Sequence, residues 1–216
     1  MHRVIQKGTP GRGVLLAGSL FWVCLIVFGT KTLMTYENRA AAAGTSPAKW
    51  PADSGIQRSA SKFVLVMVVH PDCPCSKASL VELAELMARL DGKLAAFILF
   101  SKPEASEQEV RASELWNRAA RIPGVHARYD GHALESVRFG GLISGQTMLY
   151  NPDGRLVFAG GLTRARGQEG YSMGTDAVIL KVSGNPNAPA NTPVFGCSLR
   201  DPDTKELKED PAWKKR

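Results

Sequence analysis

The chain has 216 residues, 22% of them charged and 44% hydrophobic, with a formal net charge of +7. These are ordinary values for a globular protein, and the length leaves room for one domain of about 140 to 150 residues with non-globular ends. The charge excess sits at the amino end, where residues 1–60 hold seven Lys/Arg against two Asp/Glu; residues 61–200 hold fifteen against thirteen, and residues 201–216 five against five. The folded part is thus close to neutral, which leaves nucleic-acid binding without support.

Val14–Thr30 is seventeen residues without a charge. A helix of that length just crosses bilayer hydrocarbon, which takes roughly 17 to 25 residues. Arg3, Lys7 and Arg12 precede it and only Lys31 and Arg39 follow closely. Residues 1–13 are therefore expected in the cytoplasm, with the rest of the chain exported, into the periplasm if the cell has an outer membrane. A cleaved signal peptide is the alternative, but the small residues Ala40–Ala43 lie about ten residues past the apolar run, farther than a peptidase site normally does. Cys24 follows Phe21-Trp22-Val23, bulky residues where a lipoprotein signal has small ones, and reads as a membrane-buried thiol with no chemistry. Residues 31–60, rich in Ala, Gly, Ser and Pro with little periodicity, describe a linker.

The domain is expected over residues 61–200. Phe63–Val69, seven apolar residues of which four are Val, reads as a strand buried on both faces. A helix over 75–90 follows, with Leu80, Leu83, Ala84, Met87 and Leu90 on one face and Glu82, Glu85 and Arg89 on the other. Asp91-Gly92 ends it, and a strand over 94–100 comes next. Ser106 and Glu109 form a capping box that opens a helix to about Arg121, before Pro123-Gly124; Trp116 on it reads as core. Val125–Tyr129 reads as a short strand and Ala133–Phe139 as a short helix. Thr147–Tyr150 and Arg155–Ala159 flank Asn151-Pro152-Asp153-Gly154, a turn closing a hairpin. A last helix runs from about Thr175 to Val182. No internal repeat is visible, and the order of elements specifies an α/β domain with a mixed sheet flanked by helices. The charged tail, residues 201–216, is low in apolar residues and expected to be disordered.

The chemistry centres on His70-Pro71-Asp72-Cys73-Pro74-Cys75-Ser76-Lys77, at a strand-to-helix junction. The first turn of a helix has unpaired N–H groups and a partial positive charge, both favouring a thiolate. Pro74 suits the first helical position and places Cys73 at or beside the cap. Lys77 adds a cation, while Asp72 opposes ionisation unless it is spent capping the helix. Cys73 is thus the attacking thiolate and Cys75 its near partner, and a disulfide between cysteines two apart closes a tight ring whose strain favours the reduced form.

This strand, the cysteine pair opening a helix, the further strand and helix units and the terminal hairpin resemble the thioredoxin fold over about residues 60–185. His70–Cys75, Gly161–Gly167 and Val194-Phe195-Gly196-Cys197-Ser198 look most like the membrane-anchored thioredoxin-like proteins labelled RedB. The resemblance implies a thioredoxin-like mixed sheet behind a single amino-terminal transmembrane helix. Two departures stand out: one residue, Pro74, separates the cysteines where the family has two, and Gln146 stands where the family has a cis-proline that pairs with substrate. Both argue against general reductase or isomerase activity.

Cys197 is the third cysteine of the exported part, at the end of the Pro- and Asn-rich stretch Asn185–Pro193, long enough to fold back over the site. An unpaired thiol in an oxidising compartment is either a relay partner of the close pair, a soft-metal ligand or a free surface group. Two functions follow. In one, Cys73, Cys75 and Cys197 carry thiol-disulfide exchange with protein thiols or disulfides, without a cofactor: Cys73 attacks, Cys75 resolves and Cys197 is a third linked thiol. In the other, the same sulfurs, with or without His70, bind or deliver copper(I), which selects thiolates. A redox-silent scaffold is a third reading. His126 and His132 have weaker claims than His70, and zinc is disfavoured because no second spaced ligand pair appears. Arg164 and Arg166 could present positive charge to a thiolate or an acidic partner but read more simply as a solvated loop, and Gly140, Gly141, Gly160 and Gly161 as turns.

Overall fold

The computed structural model describes residues 11–103 and 105–199. Residues 1–10 and the charged segment 201–216 lie outside the described residues, and so does its expected disorder. The chain divides into an amino-terminal unit, Met1–Asn38, and a second unit, Arg39–Arg216. In the first, helix α1 (Arg12–Glu37) has 26 residues and no buried side chain. It is long and apolar enough to cross a membrane. It outlasts the apolar run; Thr32 and Thr35 turn their hydroxyls onto the carbonyls of Phe28 and Lys31, and Asn38 closes the end on Met34.

The second unit is built on five strands: β1 (Phe63–Val69), β2 (Leu94–Phe100), β3 (Val125–Tyr129), β4 (Gln146–Tyr150) and β5 (Leu156–Gly161). Their spatial order is β3-β2-β1-β4-β5. The first three strands run parallel, while β4 is antiparallel to both β1 and β5. β1 is central, and its unbroken apolar run fills both faces. Leu65, Met67 and Val69 join one cluster with Leu83, Leu86 and Phe100, whereas Val66 and Val68 join another with Phe139, Met148 and Tyr150. The first cluster lies under α2 (Pro74–Arg89), α4 (Glu114–Ala119) and α6 (Met173–Val182); α5 (Leu134–Arg138) is short.

Three departures from the sequence reading bear on function. The expected linker is helical to residue 37 and then packs on the sheet: Trp50 meets Phe139 and Tyr150 edge-on at 4.9 and 5.2 Å, Ile56 is 2% exposed, and Lys49 bridges Arg155. The short α5 leaves part of the second face to be covered, and isolated apolar residues without periodicity do that. The helix expected from Ser106 to Arg121 is broken into α3 (Glu107–Ala112) and α4, because extended Ser113 ends one and caps the other by accepting the Trp116 N–H. Glu82, expected on the solvent face of α2, is 1% exposed. Its carboxylate accepts the Gly170 N–H at 2.6 Å and the Thr175 hydroxyl at 3.0 Å, so the segment leading into α6 satisfies it.

Candidate functional site: three converging thiols

β1 ends at Val69, and the chain turns through Pro71-Asp72 by a bond from the Cys73 N–H to the His70 carbonyl, 3.1 Å. Cys73 is the N-cap of α2, in extended conformation, with Pro74 next in the helix. Cys75 falls in the first turn. Both cysteines are nearly enclosed, 3% and 7% exposed. The junction is held from beneath: the Ser144 hydroxyl accepts the His70 N–H at 2.8 Å and meets the Ser76 hydroxyl at 2.5 Å.

Cys197 does reach this pair. Residues 190–194 run beside β5, with the Ala159 and Gly161 N–H groups donating to the Ala190 and Pro193 carbonyls. A Cβ on Gly161 would lie 2.7 Å from that Pro193 oxygen, so Gly160 and Gly161, expected as turns, are strand residues that let a neighbouring segment approach. The chain then crosses to the loop before β4. There the Ser144 N–H donates to the Cys197 carbonyl at 2.8 Å, the Leu199 N–H donates to the Leu142 carbonyl at 3.0 Å, and Ile143 pairs antiparallel with Ser198. Cys197 Sγ rests 3.2 Å from Cys73 Sγ. All three sulfurs lie within 4.8 Å of one another.

The three thiols are not equivalent. Burial works against ionising Cys73, but hydrogen bonds from the Cys197 thiol and backbone and from Ser76 outweigh it and carry its pKa below the ordinary value. Burial, with the charge of Cys73 second, pushes Cys75 up. Burial, hydrogen bonding to Cys73 and the charges of Cys73 and Cys75 push Cys197 up to about 12. Of these two sulfurs in contact, Cys73 is therefore the more acidic and Cys197 the less.

The cation at the sulfurs is Arg166, which attracts Cys75 and Cys197 and donates to the Gly196 carbonyl at 2.7 Å. Arg166 was expected in a solvated loop; Arg164 does pair outward, with Gln168. Lys77, expected beside the thiols, instead acts on Glu114 of α4. Asp72 does not cap the helix: it pairs with Lys102 at 2.7 Å, which holds its carboxyl below the usual range. Its charge is thus answered locally.

The donor cluster consists of the three sulfurs, without His70, His126 or His132. His70 accepts the Asp72 N–H through Nδ1, and burial lowers its pKa. His126 stacks on Phe97. Sequence reasoning weighed Arg166 as a charge for a thiolate but preferred a solvated loop, and it gave Ser76 and Ser144 no role.

No family model and no curated protein matches the chain by sequence. Solved structures do. A hypothetical protein from Sinorhizobium meliloti is similar at 20% identity and TM-score 0.53, over 76% of this chain and 96% of that one. An uncharacterized conserved protein from Geobacillus kaustophilus is similar at 16% identity and TM-score 0.54, over 77% and 94%. An exposed lipoprotein thioredoxin from Streptococcus pneumoniae has 14% identity and TM-score 0.45, over 65% and 99%.

The fold is thioredoxin-like. The strand order, the cysteine pair at the β1–α2 junction and the antiparallel β4–β5 hairpin define it. Gln146, at the position expected for a cis-proline in that fold, has another use, and there is no cis peptide bond among the described residues. Its side chain accepts from Gly44 and Leu142 N–H groups and donates to the Gly44 and Gly140 carbonyls. It pins the segment after α1 to the site-bearing loop.

Proposed function

We propose that this is a membrane-anchored thiol-disulfide exchange protein, with its thioredoxin-like domain on the extracytoplasmic side and protein thiols or disulfides as partners. The observation that supports it most directly is the convergence of three thiols within 4.8 Å, one of them biased toward the thiolate. Cys73 supplies that thiolate, and Cys75 and Cys197 are the two sulfurs within reach that complete the exchange. One turnover moves two electrons: a partner disulfide becomes two thiols as two protein thiols become a disulfide, or the reverse. The arginine at the sulfurs favours anionic intermediates. The positive residues before α1 favour a cytoplasmic amino terminus. The His70–Cys75 and Val194–Ser198 segments support placing the chain beside the RedB-labelled proteins.

The test is equilibration of the full-length protein, in detergent, across glutathione redox ratios, with thiols trapped in acid and counted by mass. A two-electron transition that disappears in Cys73→Ser supports the reading. Cysteines that stay reduced across the whole range would rule it out.

The same sulfur triangle favours a second reading, copper(I) binding or delivery. Three convergent thiolates suit a trigonal soft ion, and the donor chemistry fits; His70 is outside the donor set. Copper would supply no step in the exchange above, since Cys73, Cys75 and Cys197 would be spent as ligands. Anaerobic copper(I) titration separates the two: tight one-to-one binding lost equally in Cys73→Ser and Cys197→Ser supports copper handling.

A further inference from the structure

Cys197 reaches the site on a segment that pairs with the loop before β4. The bonds of Ser144 to Cys197 and of Leu199 to Leu142, and the Ile143–Ser198 pairing, are those an extended peptide makes on joining a sheet edge. Arg166 clamps the same segment through the Gly196 carbonyl. Gly196 is required: a Cβ there would lie 1.8 Å from the Ser144 carbonyl oxygen. The segment thus holds one register, with the Cys197 sulfur 3.2 Å from that of Cys73.

Exposure sorts the sulfurs differently from acidity. Cys73 and Cys75 are buried, whereas Cys197 is exposed. A partner arriving from solvent meets the exposed residue, Cys197, before the two buried ones.

We propose, on the basis of the exchange reading above, that the oxidised protein carries a Cys73–Cys197 disulfide and that Cys197 is the sulfur at which a dithiol protein partner enters. The partner thiolate attacks Cys197 Sγ. A partner–Cys197 disulfide forms, the Cys73–Cys197 bond breaks, and its electron pair leaves on Cys73 as a thiolate. The partner's second thiol, deprotonated by solvent, attacks the partner sulfur of that mixed disulfide. The partner is released with its own disulfide, and Cys197 leaves as a thiolate and takes a proton from water. Two electrons pass from partner to protein, and the reverse sequence reduces a partner disulfide. Geometry favours this polarity: the two sulfurs are 3.2 Å apart, and Cys197 is the exposed residue of the pair while Cys73 is buried.

Full-length protein in detergent is oxidised with one equivalent of diamide, challenged with reduced glutathione, quenched in acid, blocked with N-ethylmaleimide and mapped by peptide mass. The proposal predicts a Cys73–Cys197 crosslink before the challenge and then a glutathione adduct on Cys197 exceeding that on Cys73 by about tenfold or more. A Cys73–Cys75 crosslink, or an adduct chiefly on Cys73, overturns it and leaves the general exchange reading standing. No disulfide at all sinks both. Gly196→Ala displaces the segment while keeping every thiol, and it should slow Cys73–Cys197 crosslinking by about tenfold or more. Crosslinking at the unmodified rate would show that strand docking does not deliver Cys197.

Discussion

A thiol at a helix cap is pulled two ways, because enclosure favours its neutral form and converging donors favour its anion. At Cys73 the donors prevail, while burial and the neighbouring sulfurs hold the Cys197 pKa up. The consequence for stability has a definite sign. Cys197 in the folded, reduced protein keeps its proton up to about pH 12, while an unfolded-chain thiol loses it near about 8.5. Its contribution is therefore full below about 8.5 and is lost as pH rises toward the folded value. Cys75 follows the same direction, whereas the lowered pKa of Cys73 stabilises above the unfolded value and that part is lost as pH falls through the folded one. Urea midpoints of the reduced protein should thus fall between about pH 8.5 and 12, and Cys197→Ala should flatten that fall; an unchanged slope would contradict the coupling. The Cys73-Pro74-Cys75 arrangement was legible from residue type and position alone. The contact with Cys197 was not, since it depends on tertiary pairing 124 residues away in sequence. Arg166 was read as solvated for the same reason.

Strands and helices were legible wherever a pattern carried the signal: β1 and β2 begin and end where the apolar runs do, and β3 follows the alternation of Val125, Ala127 and Tyr129 with His126 and Arg128. Legibility failed where one polar side chain redirected the backbone. Ser113 caps α4 in the middle of what reads as a single amphipathic run, and Ser113→Ala should cost about 1 kcal/mol in chemical denaturation. Glu82 sits on a face that α2 alone would give to solvent, and only the segment entering α6 explains its burial. Gln146 has the largest structural role of the three. Gln146→Ala leaves the Gly44 and Leu142 N–H groups and the Gly44 and Gly140 carbonyls without their side-chain partner. At a cost of about 1–3 kcal/mol for a buried group left unsatisfied, the variant should lose at least about 2 kcal/mol, read from its urea midpoint. A loss below 0.5 kcal/mol, about the effect of a neutral surface change, would show that water replaces the amide.

At the scale of the whole molecule, the amino-terminal helix and the domain are separate units, and the domain unit begins at Arg39, earlier than the linker composition suggested. Ala41 donates to the Val194 carbonyl at 2.8 Å, and Trp50 and Ile56 complete the second face of the sheet. A fragment starting at residue 39 should fold with the stability of the intact domain. One starting at residue 61 should be less stable by about 3–5 kcal/mol, the burial of two large apolar side chains, as measured by denaturant unfolding. The full chain should resist carbonate extraction from membranes, and the residue-39 fragment should not.

The account rests most heavily on the division of labour among three neighbouring sulfurs, and the pH dependence of iodoacetamide alkylation, resolved thiol by thiol by mass in the reduced full-length protein, tests it directly. Cys73 should titrate first, below an unperturbed thiol, Cys75 should titrate above one, and Cys197 last, near about 12. A Cys73 midpoint at or above those of its two neighbours would contradict it.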